Sequence, residues 1–228
     1  MKCHVFVDFD GTIATVDTTD LLLERFADPA WLDVEEDWKA GKIGSRECLV
    51  RQIDLVRATP AEMEDFVEGI DIDPTFSAFV DLCIDGGHDV SVVSDGLDFT
   101  VGRVLRQAGL ELPFFANRLE YLGDKKWKLT FPFSRSDCRA LSGNCKCQFS
   151  EAATGKIRIV VGDGRSDFCV ASGADLVLAK SALERHCREN DIAHFAFGTF
   201  TDATSLLASW LDEQAAASTD QSDTLRDE

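Results

Sequence analysis

Apolar and polar positions follow two regimes along this chain. His4–Val7, Val90–Val93, Phe114–Ala116, Ile157–Val161, Leu176–Leu178 and His194–Phe197 are short, near-continuous apolar runs, several of them closed by Asp, Gly or Ser. That is the pattern of strands buried on both faces of a parallel sheet. Arg118–Tyr121 and Lys126–Phe131 instead alternate across Leu122-Gly123-Asp124-Lys125 and read as a β-hairpin. Between the first two strands, residues 18–86 carry helical spacing. The cluster Asp17-Thr18-Thr19-Asp20 offers N-caps, and Pro29, Pro60 and Pro74 each stand near the start of a helical stretch. Gly86-Gly87 ends this block, and further helices are predicted over Phe99–Ala108 and Ala203–Leu211.

Strand, helices, strand, helix, strand in this order predict an α/β fold with a parallel, Rossmann-like sheet covered on both faces. The block after the first strand is far longer than one crossover needs. It predicts an α-helical cap over residues 15–82, inserted into a core made of 1–14 and 83–212. From Asp212 onward the chain is acidic, rich in Ala, Ser and Thr and without apolar period, which predicts a flexible tail over 213–228.

Composition narrows the function. In 228 residues, 23 Lys and Arg stand against 41 Asp and Glu, a formal charge of −18. No basic run marks a nucleic-acid binder. An anionic ligand would meet a repulsive overall field, so a phosphate site must be a local positive island of metal ion, lysine and backbone N–H groups. No run approaches the roughly 20 apolar residues of a membrane span, and the first residues do not have the form of a signal peptide. The expectation is a soluble, cytoplasmic protein without a nucleic-acid or membrane partner; oligomeric state is not readable. Eight cysteines in such a chain are expected to be mostly reduced core thiols. Cys138, Cys145 and Cys147 could bind zinc, but no fourth ligand lies near them in sequence.

Three predicted strands end in polar clusters: Asp8-Phe9-Asp10-Gly11-Thr12, Ser94-Asp95-Gly96 and Gly162-Asp163-Gly164-Arg165-Ser166-Asp167. Each alone is compatible with a solvated turn. In open α/β sheets, however, ligands gather at the carboxyl ends of strands. If these three strands are neighbours, Asp8, Asp10, Asp163 and Asp167 converge. Such carboxylates raise one another's pKa, and a hard cation such as Mg²⁺, which prefers oxygen ligands, relieves them. The last cluster is not a dinucleotide loop, because Asp167 stands where the third glycine would be.

Taken together, Asp8–Ile13 (DFDGTI), Ser94, a downstream lysine and Gly162–Asp167 (GDGRSD) resemble the four motifs of haloacid dehalogenase-type phosphatases over about residues 4–180. The resemblance implies that Asp8 is a nucleophile forming an aspartyl-phosphate and that Asp10 is the general acid and then base. It implies that Mg²⁺ is held by Asp8, the Asp10 carbonyl and Asp163, with Asp167 supporting. Phosphoryl oxygens would be held by the Ser94-Asp95-Gly96 segment and the lysine. Two lysines precede the fourth motif. Lys156 abuts Ile157 and is expected at the far end of that strand; Lys146, opening a helix, is favoured. The stretch Phe131-Pro132-Phe133…Cys138…Gly143-Asn144-Cys145-Lys146 is similar to a Cys-rich stretch of 2-hydroxy-3-keto-5-methylthiopentenyl-1-phosphate phosphatases, where the lysine also follows a G-x-C step.

The substrate is expected to be a small phosphorylated metabolite chosen by the cap. Asp17 lies nine residues after Asp8, where phosphoserine phosphatases carry an acid that meets the substrate's amine; it could equally cap the next helix. Gln52 falls where that family uses an arginine, with Arg51 one step away, so an enol or sugar-type phosphate is preferred over phosphoserine. A phosphotransferase or mutase, and a phosphometabolite-binding protein without catalysis, are the other classes. The intact set Asp8, Asp10, Lys146 and Asp163 speaks against the last, since binding alone needs no proton donor.

Overall fold

The structure is a computed structural model that describes residues 2–224. Seven strands form one sheet: β1 (Cys3–Val7), β2 (Asp89–Leu97), β3 (Phe114–Gly123), β4 (Lys126–Thr130), β5 (Ile157–Gly162), β6 (Leu176–Ala179) and β7 (His194–Ala196), in the order β4-β3-β2-β1-β5-β6-β7. All neighbouring pairs are parallel except β3 with β4. β1 therefore lies between β2 and β5, and the three strands with polar ends are adjacent.

The apolar runs are buried on both sides, as their composition requires. Val5 and Val7 face the main core, which holds the helices α5 (Phe76–Asp85), α6 (Asp98–Gln107) and α10 (Phe200–Thr224). Phe6 points the other way, into a cluster with Val93, Ala153 and Phe149 that involves α7 (Cys147–Ala152). On that side β6 also gives Val177 and Ala179 to a cluster with α8 (Phe168–Ala171) and α9 (Ser181–Glu189).

Four helices precede α5: α1 (Thr18–Phe26), α2 (Trp31–Lys39), α3 (Ser45–Ile53) and α4 (Pro60–Val67). Asp17 caps α1, accepting from the Asp20 N–H at 2.9 Å, and Thr59 with Glu62 forms a capping box around Pro60. An isolated antiparallel bridge between Ala14 and Ile72 marks where the chain leaves and re-enters the core. After it, α5 packs beside the sheet against α10, with the Phe76 and Phe200 rings 4.7 Å apart.

Several sequence boundaries move. Phe114–Ala116 and Arg118–Tyr121 are one strand, β3, parallel to β2 at its start and antiparallel to β4 beyond it. Asn117, whose polarity splits the apolar run, spends its amide on the Asp95 carbonyl at 2.5 Å. β2 continues through Ser94-Asp95-Gly96 to Leu97 because a register shift after Val93 lets Leu97 pair with Asn117. The hairpin turn is tighter than four residues: Asp124 and Lys125 both take positive φ, as a two-residue turn of this kind demands. Finally, α10 does not stop at Leu211. It runs to Thr224 through Gln214 and three alanines, good helix formers that need no apolar stripe. Residues 225–228 of the expected tail lie outside the described residues. Among the described residues no helix is long and apolar enough to cross a membrane.

Candidate active site

Parallel pairing of β1 with β5 places Val7 beside Val161, and the Asp8 N–H donates to the Val161 carbonyl at 2.8 Å. The chain then turns sharply through Phe9–Ile13, where Gly11 has φ +69°. A side chain there would be strained, and its Cβ would lie 2.5 Å from Asp163 Oδ2. The turn brings Asp8 to Asp163 and Asp167. Among the described residues, these three form the group whose ligand atoms all lie within 4.8 Å of one another, as a metal ion requires. Cys138, Cys145 and Cys147 form no such group, and all eight cysteines are free thiols.

Lys146 lies against this cluster. As the residue preceding α7, it sends its ammonium 2.7 Å from Asp8 Oδ1, 2.7 Å from Asp167 Oδ1 and 3.0 Å from Ser166 Oγ. Burial works against its charge, but Asp167 and Asp8 outweigh it and hold the amine above its ordinary value. The carboxylates show the opposing strain. Burial, then Asp8, pushes Asp163 up to about 6, and the same two causes raise Asp167 well above the usual range. Three crowded oxygen donors, with Asp163 and Asp167 raised, fit a hard divalent cation. Lys156 is at the opposite end of β5, paired with Asp89 at 2.5 Å.

Asp10 is turned away from the trio. Its Oδ1 accepts from the Thr18 N–H at 2.9 Å and the Thr18 hydroxyl at 2.6 Å, and its Oδ2 accepts from Ser94 Oγ at 3.5 Å. Its carboxylate is thus absent from the metal-type cluster, leaving only its backbone carbonyl for a metal. Burial, then the charge of Asp17, lifts Asp10 to about 8 against the Thr18 hydrogen bonds. A carboxyl raised in this direction favours its protonated form, the form a general acid needs. Ser94 Oγ also accepts from the Gly96 N–H at 2.9 Å.

The Asp95 side chain is engaged within the fold. Its carboxylate accepts from Ser45, Asn144 and Asn117, while burial raises its pKa above the ordinary value. Thr12, Thr18, Ser45, Asn144 and Ser166 also take part in the site. Thr12 and Ser166 fall inside the quoted motifs, Thr18 appears in the sequence only as part of an N-cap cluster, and Ser45 carries no local signal.

A cavity of about 430 Å³ opens above these residues, lined by Asp8, Asp10 and Asp163 below and by Asp17, Asp20, Glu35, Trp38 and Gln52 from the helical insert. Gln52 is buried and donates to Glu35 at 3.0 Å. Arg51 is turned outward to Asp37 and Glu47, and Arg57 donates to backbone carbonyls of its own segment. Among the described residues, the one basic side chain lining the cavity is Arg165, 5.7 Å from the Trp38 ring centroid.

Residues 5–172 match the family model of haloacid dehalogenase-like hydrolases. The chain belongs to this family. It is 30% identical over 213 residues to the 2-hydroxy-3-keto-5-methylthiopentenyl-1-phosphate phosphatase of Brevibacillus brevis, covering 90% of this chain and 95% of the relative. The protein of that name from Geobacillus kaustophilus is 30% identical over 210 residues, covering 89% and 94%. Among solved structures, a phosphoserine phosphatase from T. onnurineus aligns with a TM-score of 0.67 and 16% identity, covering 90% of this chain and 94% of that one. That likeness supports the fold alone. Membership and these relatives together make the chain an enzyme of the phosphoric monoester hydrolase class.

Proposed function

We propose that this chain is a Mg²⁺-dependent phosphatase that hydrolyses a small phosphorylated metabolite through an aspartyl-phosphate on Asp8. The observation that carries the reading is that Asp8, with its Lys146 counter-charge 2.7 Å away, and Asp10 two residues on line one cavity. An Asp8 oxygen attacks phosphorus as the bond to the leaving oxygen breaks, and Asp10 gives that oxygen its proton. The ionised Asp10 then takes a proton from water, whose oxygen attacks phosphorus and releases phosphate and free Asp8. Lys146 and Ser94 hold phosphoryl oxygens. Asp8, the Asp10 carbonyl and Asp163 would hold Mg²⁺, with Asp167 supporting; when bound, the ion supplies positive charge against the developing phosphoryl charge. The helical insert from residue 15 to the Ala14–Ile72 bridge is the cap, and α5 belongs to the core.

For the substrate, 2-hydroxy-3-keto-5-methylthiopentenyl-1-phosphate or a related enol or sugar-type phosphate is the reading favoured by the curated relatives. Phosphoserine is disfavoured because Gln52 is committed to Glu35 and Arg51 faces away, so the cap brings no cation to a substrate carboxylate. The test is hydrolysis of p-nitrophenyl phosphate with Mg²⁺, wild type against Asp8→Asn, followed by a screen of phosphorylated metabolites. Wild-type activity in Asp8→Asn would refute the mechanism. Preference for phosphoserine would refute the substrate reading.

A further inference from the structure

Asp95 lines the cavity, yet three separate pieces of chain claim its carboxylate. Ser45 Oγ, in the first residue of α3, donates to Oδ2 at 2.5 Å. The Asn144 N–H donates to Oδ1 at 2.7 Å, and Asn117 Nδ2 reaches the same oxygen at 3.2 Å. Only a carboxylate offers this many acceptor sites with no donor to conflict.

Two of these contacts matter for catalysis. The Asn144 side chain is itself pinned, donating to the Ser94 carbonyl at 2.9 Å and the Phe115 carbonyl at 2.8 Å. Lys146 follows two residues later, and consecutive Cα atoms are about 3.8 Å apart. The anchoring of Asn144 therefore sets where the lysine starts toward Asp8. On the cap side, the Arg46 N–H donates to the Leu141 carbonyl at 3.2 Å. Gly44 lies so near Leu141 that a Cβ there would overlap it. The start of α3 and the segment leading to Lys146 rest on each other, with the Asp95 carboxylate joining them.

We propose that Asp95 is a positioning residue that couples closure of the cap to the placement of Lys146, Ser45 docking on one carboxylate oxygen while Asn144 is held by the other. Its place in a reaction rests on the phosphatase reading; the linkage itself does not.

Hydrogen exchange of residues 44–48 and 138–146, together with Mg²⁺-dependent hydrolysis of p-nitrophenyl phosphate, tests it in Ser45→Ala, Asp95→Ala and Asp95→Asn. Ser45→Ala removes only the cap-side donor. Coupling requires that it speed exchange in 138–146 as well as in 44–48 and lower kcat roughly tenfold, the effect of one hydrogen bond to a charged group. Asp95→Asn, which keeps an acceptor for Asn144, should retain more kcat than Asp95→Ala. The double variant of Ser45→Ala and Asp95→Ala should be no worse than Asp95→Ala alone. If Ser45→Ala loosens only 44–48 and leaves kcat unchanged, or if the two substitutions add, the coupling is wrong. Failure of the phosphatase reading would look different: no turnover in wild type, with the exchange pattern intact.

Discussion

The Lys146 ammonium stands 2.7 Å from Oδ1 of Asp8 and 2.7 Å from Oδ1 of Asp167, and all three side chains are buried. Lys146→Met leaves two buried carboxylates facing each other without a counter-charge. In metal-free buffer it should cost about 3–5 kcal/mol of stability, measured by urea unfolding. Activity should fall roughly 10²–10³-fold. Added Mg²⁺ should restore much of the stability and little of the activity, because the ion replaces the charge but not the hydrogen bonds to phosphoryl oxygens.

The raised carboxylates set a pH dependence of stability. Asp10 at about 8 and Asp163 at about 6 hold protons in the folded chain that the unfolded chain releases near its ordinary value of about 3.9. The folded state then binds more protons, so stability falls as pH rises from about 4 to about 8. In EDTA the melting temperature should drop between pH 5 and pH 8, and Mg²⁺ should flatten the slope. A rise over that interval would contradict the assigned pKa directions.

Thr18 tunes the proposed acid. Its hydroxyl donates to Asp10 Oδ1 at 2.6 Å and favours the ionised form. Thr18→Val removes that bond while the backbone N–H remains. The alkaline limb of the kcat profile, where Asp10 loses its proton, should move to higher pH. An unmoved limb would mean that Asp10 does not set it.

Close approach at Gly162 offers a test of the metal-type cluster without touching a charge. A Cβ at this position would overlap the Asp167 carboxylate. Gly162→Ala should push Asp167 off Lys146, and the Mg²⁺ concentration giving half-maximal activity should increase several-fold. Calorimetric titration with Mg²⁺ checks the same displacement without turnover.

The three motif strands could be read from sequence because β-branched runs such as Ile157–Val161 end abruptly in Asp and Gly, a local signal for a strand meeting a turn. Their order was implied only by the need for the acids to meet. Lys146 was separable from Lys156 because the latter abuts its strand, which fixes the end of the sheet it occupies. Ser45 was invisible: a serine at a helix start looks like any cap, and nothing nearby in sequence names Asp95 as its partner. Asn117 misled for a related reason. Its polarity interrupts an apolar run, whereas in the fold its amide nitrogen donates to the Asp95 carbonyl of the neighbouring strand. Asp10 faces Thr18, a direction decided by how the helical insert descends onto the core.

The central position of β1 also governs when the protein can work. Asp8 leaves the ribosome well before the strand that brings Asp163 and Asp167 beside it, which is made some 150 residues later. Closing so long a loop is a late event in folding. Until then Asp8 has neither its lysine nor its companion acids. The pairing of β1 and β5 is what first sets Asp8 beside Asp163 and Asp167.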